Sequence, residues 1–389
     1  MKKFENDLFI HYWQLPQELF VSLNPNFHKE FCSIVQEKTG YKFKNCFYKI
    51  INCPKWHAQR LFTKKIRFTI KELEKLSEFA GISREEIEKN LETLGNQEDG
   101  AIIRSPKLPF DTKDLFYVAS HLMFDGCFRP KRGAYFYSYE NSLTEYHKKR
   151  LSNFGEVPMN FLEKDNQLYF SYTIGYIASK ILDINNFRSK ECVLSDKFKL
   201  LAKENKLLTD EVVKSLIVDE GAVDDKIKIE LANKKLVEDL YGLISIYYKL
   251  NKLSTRERKN VSFNGKWKHN ITSWGFSFSA QSFKELYKSI SPLPIDYKQD
   301  NLEFLFVLQN KQYFHRKHGE TKKLIISSLS KQSKTIDELS KELHIKQTTI
   351  SSHIKKMSEV IRVGEKILRK GGYAKVNLFG VINNNIKNN

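Results

Sequence analysis

The chain repeats one order of predicted secondary structure, and this repeat limits its fold more than any other feature. The first copy contains, in order, a helix over 111–124, a strand over 134–139, a helix over 142–154, a strand over 167–172 and a helix over 174–182. The second copy contains, in order, a helix over 209–220, a strand over 226–231, a helix over 234–250, a strand over 269–279 and a helix over 281–290. A duplicated helix, strand and helix order predicts an α+β domain with an internal twofold relation, αββαββα in each half.

Each copy opens with a helix that ends in a carboxylate followed by glycine. The two pairs are Asp125-Gly126 and Glu220-Gly221. Small residues within both helices predict close backbone approach, and we expect each glycine to supply a helix-ending position that tolerates positive φ. A carboxylate is unfavourable at a helix C-terminus, so two matching carboxylates indicate a purpose other than helix stability.

These residues resemble the LAGLIDADG homing endonuclease family, over roughly residues 110–290. The resemblance places Asp125 and Glu220 on the family's paired catalytic metal-ligand positions. It implies two motif helices packed at a pseudo-twofold axis, above a saddle-shaped sheet that covers DNA. It also implies Mg²⁺ or Mn²⁺ as the cofactor, bound only if the chain is catalytic. His121, Met123 and Lys214 depart from the small or aliphatic residues that the family usually has.

Basic residues follow both acidic motifs, as contact with DNA phosphates requires. The candidate phosphate contacts are Arg129, Lys131, Lys226, Lys228, Lys266 and Lys268. None of them stands out as a catalytic lysine. Asp224 and Asp225 follow the second motif and repel phosphate, so the second half is expected to bind DNA less well.

Residues 321–382 read as three helices and a strand pair. Thr335 and Glu338 have the spacing of a capping box at the start of the second helix. The third helix presents polar and basic residues suited to a major groove, namely Gln347, Thr348, Thr349, Ser351, Ser352 and Lys355. The segment resembles the winged helix family, and Arg369 and Lys370 would then lie in the wing. A winged helix that binds another protein is the alternative.

The first 95 residues predict helices over 27–38, 42–50, 54–62, 69–79 and 83–94. They resemble the repressor-type helix-turn-helix. The residues expected to face DNA are Lys55, His57, Gln59, Arg60, Lys64 and Lys65. A basic helical bundle that reads no bases is the alternative.

These patterns predict a duplicated central domain flanked by two mainly helical DNA-binding domains. The predicted parts are an N-terminal domain (1–95), a linker (96–109), the two-repeat domain (110–290, with repeats 110–184 and 209–290), a connector (291–320) and a winged helix (321–382).

Charge points to a polyanionic partner. Lys and Arg number 65 and Asp and Glu 46, a net charge of +19. Residues 41–70 hold eight cations and no carboxylate, and the stretch from Thr321 onward holds fourteen cations against five carboxylates. Such an excess suits binding to nucleic acid or to an anionic membrane surface. The alternative is a generally lysine-rich surface, which would indicate no particular partner.

Other classes are excluded by what the sequence lacks. It contains no run of eighteen apolar residues and no secretory leader, so we expect no membrane span and a cytoplasmic, nucleoid-associated location. Its five scattered cysteines form no CxxC pair and are expected to be reduced core residues. It also lacks the terminal residues of an intein.

Two functions remain for the sequence. One is a site-specific DNA endonuclease that depends on a divalent metal, and the other is a non-catalytic transcription regulator that reuses the LAGLIDADG scaffold. In both, the partner is double-stranded DNA, bound by a monomer.

Overall fold

The structure is a computed structural model that describes residues 8–96, 102–129, 133–187, 191–224, 226–263, 267–310, 319–367 and 375–381, with backbone alone at 258–263, 267–271, 308–310, 367 and 375. Within these ranges the chain is mixed α and β, as the sequence predicted. No described helix is long and apolar enough to cross a membrane.

The N-terminal unit combines helices with an antiparallel sheet. Its elements are β1 (Phe9–Ile10), β2 (Phe20–Leu23), α1 (Pro25–Thr39), α2 (Tyr48–Ile51), α3 (Lys55–Phe62), β3 (Phe68–Thr69), α4 (Ile70–Ala80), α5 (Arg84–Lys89), β4 (Leu91–Gly95) and β5 (Ile103–Arg104). The sheet has the strand order β3-β2-β4-β5. The sequence did not predict this sheet: the helix expected over 83–94 ends at Lys89, and β4 then pairs with β2.

Helix α4 shows how local signals set the helix ends. The Thr69 hydroxyl accepts from the backbone N–H of Glu72, and the Glu72 carboxylate accepts from the backbone N–H of Thr69. Gly81, at φ 70°, ends the helix in the left-handed conformation. Helix α4 therefore begins at a capping box and ends at a left-handed glycine.

The residues between the N-terminal unit and the repeats pair with both. Strand β6 (Phe110–Asp111) pairs with β1, and Arg104 forms an isolated bridge with Glu156. Ile103, within the predicted linker, is completely buried. The described residues of this segment are thus held by pairing and burial.

Two stretches share one element order. The first contains α6 (Thr112–Phe124), β7 (Gly126–Arg129), β8 (Gly133–Tyr137), α7 (Asn141–Leu151), β9 (Met159–Leu162), β10 (Gln167–Phe170) and α8 (Tyr172–Ile181). After α9 (Asp196–Glu204), the second contains α10 (Lys206–Asp219), β11 (Ala222–Val223), β12 (Ile227–Leu231), α11 (Lys234–Ile244), β13 (Ser254–Phe263), β14 (Trp267–Ser277) and α12 (Phe283–Ile290). The strand orders, β7-β8-β10-β9 and β11-β12-β14-β13, correspond strand for strand.

The remaining elements form a connector and a small C-terminal unit. They are α13 (Asp296–Asn310), α14 (Glu320–Lys331), α15 (Ile336–Leu343), α16 (Gln347–Ile354), β15 (Val360–Ile367) and β16 (Lys375–Val381). One apolar core runs from Tyr12 to Leu305, and a separate core runs from Ile325 to Val360. The N-terminal unit, both repeats and α13 therefore share one core, from which the C-terminal unit is distinct.

Candidate acid pair and nucleic-acid interface

Helices α6 and α10 pack against each other and end in equivalent carboxylates. Asp125 is the C-terminal cap of α6, and its N–H donates to the His121 carbonyl at 3.3 Å. Glu220 is the C-terminal cap of α10, and its N–H donates to the Leu216 carbonyl at 2.9 Å. Both acids therefore occupy the same position in their helices.

The glycines after the two acids are required by contact rather than by φ. Neither has a positive φ, so the expected left-handed position is wrong. A Cβ on Gly126 would lie 2.6 Å from the carbonyl oxygen of His121, and a Cβ on Gly221 would lie 2.7 Å from that of Ile217. At both positions the backbone turns back so tightly over the last helical turn that no side chain fits.

The acids interact through charge. Burial, and then the charges of Asp219 and Glu220, raise the pKa of Asp125 to about 8, against a lowering by Lys298. Burial, and then Asp219, raise the pKa of Glu220 to about 7, again against a lowering by Lys298. We name Asp125 and Glu220 the acid pair. Both carboxyl groups bind a proton more tightly than an ordinary carboxylate does.

Lys298 on α13 is the cation whose charge lowers the pKa of both members of the acid pair. Only 6% of the residue is exposed. Its ammonium donates to the carbonyl oxygens of Ile217 at 2.9 Å and Val218 at 2.7 Å, in the last turn of α10. A cation there satisfies the helix terminus and lowers the pKa of both acids.

A buried pair joins the two helices next to the acid pair. The Nδ1 atom of His121 on α6 lies 2.8 Å from a carboxylate oxygen of Asp219 on α10, and the two side chains are 3% and 4% exposed. Asp219 directly precedes Glu220; it is paired with His121, and its charge also raises the pKa of both members of the acid pair.

Polar contacts continue from His121 along α6. The His121 ring packs edge-on against the rings of Tyr117 and His147. The Tyr117 hydroxyl and His147 share a hydrogen bond. The Arg150 guanidinium lies 4.2 Å from the Tyr117 ring centre. Arg150 in turn pairs with Asp114 at 2.9 Å and with Glu211 at 3.1 Å, so a buried polar line runs between the two helices.

A divalent ion fits the acid pair chemically. Carboxylate oxygens suit Mg²⁺, which is usually held by one or two carboxylates together with water and substrate phosphate. In the described part of the chain, no three His, Cys, Asp or Glu side chains are grouped so as to hold a metal. A cavity of about 210 Å³ adjoins Glu220, bordered also by Phe124 and Glu230. That space has room for several waters beside Glu220, and Asp125 is not among its lining residues.

The predicted phosphate contacts of the repeats differ in their surroundings. Arg129 and Lys226 are exposed. Lys228 is paired with Glu230, 2.6 Å away. Lys131 and Lys266 lie outside the described residues, and Lys268 is described by its backbone alone, within β14.

In the C-terminal unit, α16 presents the predicted polar face. Thr348, Thr349, Ser352 and Lys355 are exposed and Ser351 is half-buried. The Gln347 side chain donates to Asp337 at 2.8 Å, which links α16 to α15. The Thr335 and Glu338 capping box is confirmed. Arg369 and Lys370 lie outside the described residues.

A cleft of about 750 Å³ lies between α16 and the sheet β11-β12-β14-β13. Its lining includes Lys226 and Lys228 on one side and Thr348, Ser352 and Lys355 on the other. Two surfaces predicted independently to contact DNA therefore border one space.

On the N-terminal unit, the residues predicted to face DNA divide into two groups. Lys55, Gln59, Arg60 and Lys65 are exposed. His57 lies 2.9 Å from the Glu72 carboxylate and Lys64 lies 2.7 Å from that of Glu92, so both side chains are bound to neighbouring elements.

Sequence reasoning missed Lys298 and the pairing of His121 with Asp219. Asp219 was visible as an acid beside Glu220, but its partner is 98 residues away. Lys298 lies 80 residues from the Val218 carbonyl it binds, in a segment without any motif.

The part of the chain that matches a known family is the C-terminal helix-turn-helix. Residues 319–360, which include α14, α15 and α16, match the family described as bacterial regulatory protein, arsR family. These residues form a helix-turn-helix domain, the kind of domain that places a helix in the DNA major groove. No curated protein matches the chain.

A solved structure is loosely similar to part of the chain. It is a variant of I-DmoI in complex with its target DNA, nicked in one strand, in the presence of manganese. The similarity has 12% sequence identity and covers 46% of this chain and 97% of that chain. Its TM-score of 0.31 is too low to indicate a shared fold.

Proposed function

We propose that this chain is a LAGLIDADG-type DNA endonuclease, which binds double-stranded DNA and cleaves it at the acid pair with a divalent metal. The observation that carries the proposal is the placement of Asp125 and Glu220 as equivalent caps of two packed helices. Crowding carboxylates at helix C-termini costs stability, because burial and mutual repulsion oppose their ionisation. A bound divalent ion would offset that repulsion.

The chain's own residues would divide the work. Asp125 and Glu220 hold the ion, and Lys298 keeps the end of α10 in place while lowering the pKa of both acids. The ion would polarise a scissile phosphate and activate water. Arg129 and Lys226 are exposed cations after the two motifs and are suited to bind phosphates on either side.

DNA affinity would come from the flanking units as well. The α16 face of Thr348, Thr349, Ser352 and Lys355 supplies polar groups for base edges and a cation for phosphate. We also propose that the chain divides into domains at the boundaries predicted from the sequence. We further propose that it binds DNA as a monomer, because two unlike repeats favour an asymmetric site.

The test begins with selection of bound duplexes from a randomised pool in Ca²⁺. The selected duplex is then incubated with Mg²⁺ or Mn²⁺ and examined for strand cleavage. Asp125→Asn and Glu220→Gln should each abolish cleavage and retain binding in Ca²⁺, whereas the exposed turn variant Asp165→Asn should cleave normally. An intact duplex after incubation with the wild-type chain rejects the nuclease.

The second candidate is a non-catalytic DNA-binding regulator. The specific observation in its favour is the match of residues 319–360 to a family of regulatory proteins. The same experiment separates the two functions, because a regulator binds the selected duplex and leaves it uncut with every metal. Lys355→Gln should weaken binding in either case, while Lys323→Gln, an exposed lysine on α14, should have little effect.

A further inference from the structure

Two aromatic side chains lie largely exposed on the most basic stretch of the N-terminal unit. Phe43 is 67% exposed and Trp56 is 59% exposed. Large apolar rings normally gain free energy by burial, so two exposed rings within one short stretch mark a contact surface.

Further rings and cations connect these two residues. The Tyr41 ring centre lies 5.8 Å from that of Phe43 and 5.9 Å from that of Tyr48. The Lys49 ammonium lies 4.5 Å from the Tyr41 ring centre, and that of Lys55, the neighbour of Trp56, lies 5.4 Å from the Tyr48 ring centre. We name this set the aromatic–cation surface; its members are Tyr41, Phe43, Tyr48, Lys49, Lys55 and Trp56.

The charge around this surface favours an anionic occupant. Residues 41–70 contain eight cations and no carboxylate. Glu37 borders a groove next to Tyr41 and Lys42, and Glu72 is paired with His57. Cations therefore outnumber the nearby carboxylates, and the rings lie among them.

The rings favour unpaired bases over a duplex. In a duplex the base faces are stacked inside, and a groove offers only base edges and phosphates. Exposed aromatic rings beside lysines instead suit single strands, whose bases stack on rings while the lysines follow the backbone. We propose that the aromatic–cation surface binds single-stranded nucleic acid, a partner beyond the duplex of the proposed function.

The test measures binding of the full chain to a fluorescent single-stranded oligothymidylate of about 20 nucleotides, by anisotropy. The variant Phe43→Ala with Trp56→Ala should lose about tenfold or more in affinity, because stacking contributes on that scale per base. Phe43→Tyr with Trp56→Phe keeps both rings and should restore binding. Phe79→Ala removes a 40% exposed ring on α4 and should bind as the wild type does.

A second ligand separates stacking from charge. An abasic strand of equal length keeps the phosphates and lacks bases, so the wild type should bind it about tenfold more weakly than oligothymidylate. The alanine double variant should bind the two ligands equally. Lys55→Gln should reduce the salt dependence by about 0.7 in log–log slope, and the ring variants should leave that slope unchanged.

Each of several results would overturn the proposal. In the first, the wild type binds the abasic strand as tightly as oligothymidylate. In the second, the alanine double variant binds oligothymidylate as tightly as the wild type does. In the third, that variant loses as much affinity for a matched duplex as for oligothymidylate. Competition by polyglutamate as effective as competition by unlabelled oligothymidylate would assign the surface to acidic protein. Circular dichroism melting of each variant confirms that a lost affinity does not reflect unfolding.

Discussion

The carboxyl group of Asp125, at the end of α6, lowers the stability of the folded protein when it is ionised. Its raised pKa, about 8, means that the folded chain holds a proton that the unfolded chain releases near pH 4. A group whose pKa is raised by folding contributes stability that is present below the unfolded value and is lost as pH rises through the folded value. The stability cost is therefore largest where the carboxylate is ionised and ready to bind a cation.

The first prediction concerns Asp125→Asn in the presence of EDTA. The amide cannot ionise, so the variant's advantage over the wild type in the free energy of unfolding should grow from pH 5 to pH 9, by roughly 4 kcal/mol for a folded-state pKa of about 8. Urea unfolding at both pH values measures the difference. Asp165→Asn, in an exposed turn, should change stability equally little at both. A wild type as stable at pH 9 as the variant would contradict the raised pKa.

At the scale of elements, the sequence predicted helices with local signals and missed what distant residues decide. The capping boxes of α4 and α15 and the acid caps of α6 and α10 depend on neighbouring residues, and all of them are present. The strand β4 was taken for helix because its pairing with β2 involves residues about 70 positions away. Long-range pairing overrides weak local propensity.

The candidate site divides in the same way. Asp125 and Glu220 were visible as a repeated motif, whereas Lys298 and the His121–Asp219 pair depend on the packing of α13 and α10. No spacing rule relates such residues, because only the tertiary fold brings them together.

The second prediction concerns the turns that follow the acid caps. Gly126→Ala and Gly221→Ala should each lower the free energy of unfolding by about 1–3 kcal/mol, because the new Cβ would meet backbone of the preceding helical turn. Gly242→Ala is the matched control. Its Cβ would meet nothing within 4 Å, and alanine within α11 should be neutral or stabilise by up to about 1 kcal/mol. Equal effects at all three glycines in urea unfolding would contradict the close approach.

At the scale of the whole molecule, the chain has two cores of unequal size. The large core includes residues of the N-terminal unit, both repeats and α13, and the small core includes residues of α14, α15 and α16. Because each core excludes water on its own, the two parts have separate sources of stability.

The third prediction is that calorimetry resolves two unfolding transitions. Leu115→Ala empties a completely buried position of the large core, and Leu339→Ala does so in the small core. Each should cost about 2–5 kcal/mol and lower only the midpoint of its own transition. A single transition that both variants shift alike would show that the cores unfold as one.

The pairing of β1 with β6 and the bridge between Arg104 and Glu156 have a consequence for any nucleic acid that reaches both Trp56 and Asp125. They hold the N-terminal unit against the repeats, so the distance from Trp56 to Asp125 does not vary as it would across a flexible tether. A strand bound at both places must span one constant length. The protein would then select its ligand by the number of nucleotides between the two bound segments, as well as by the sequences of those segments.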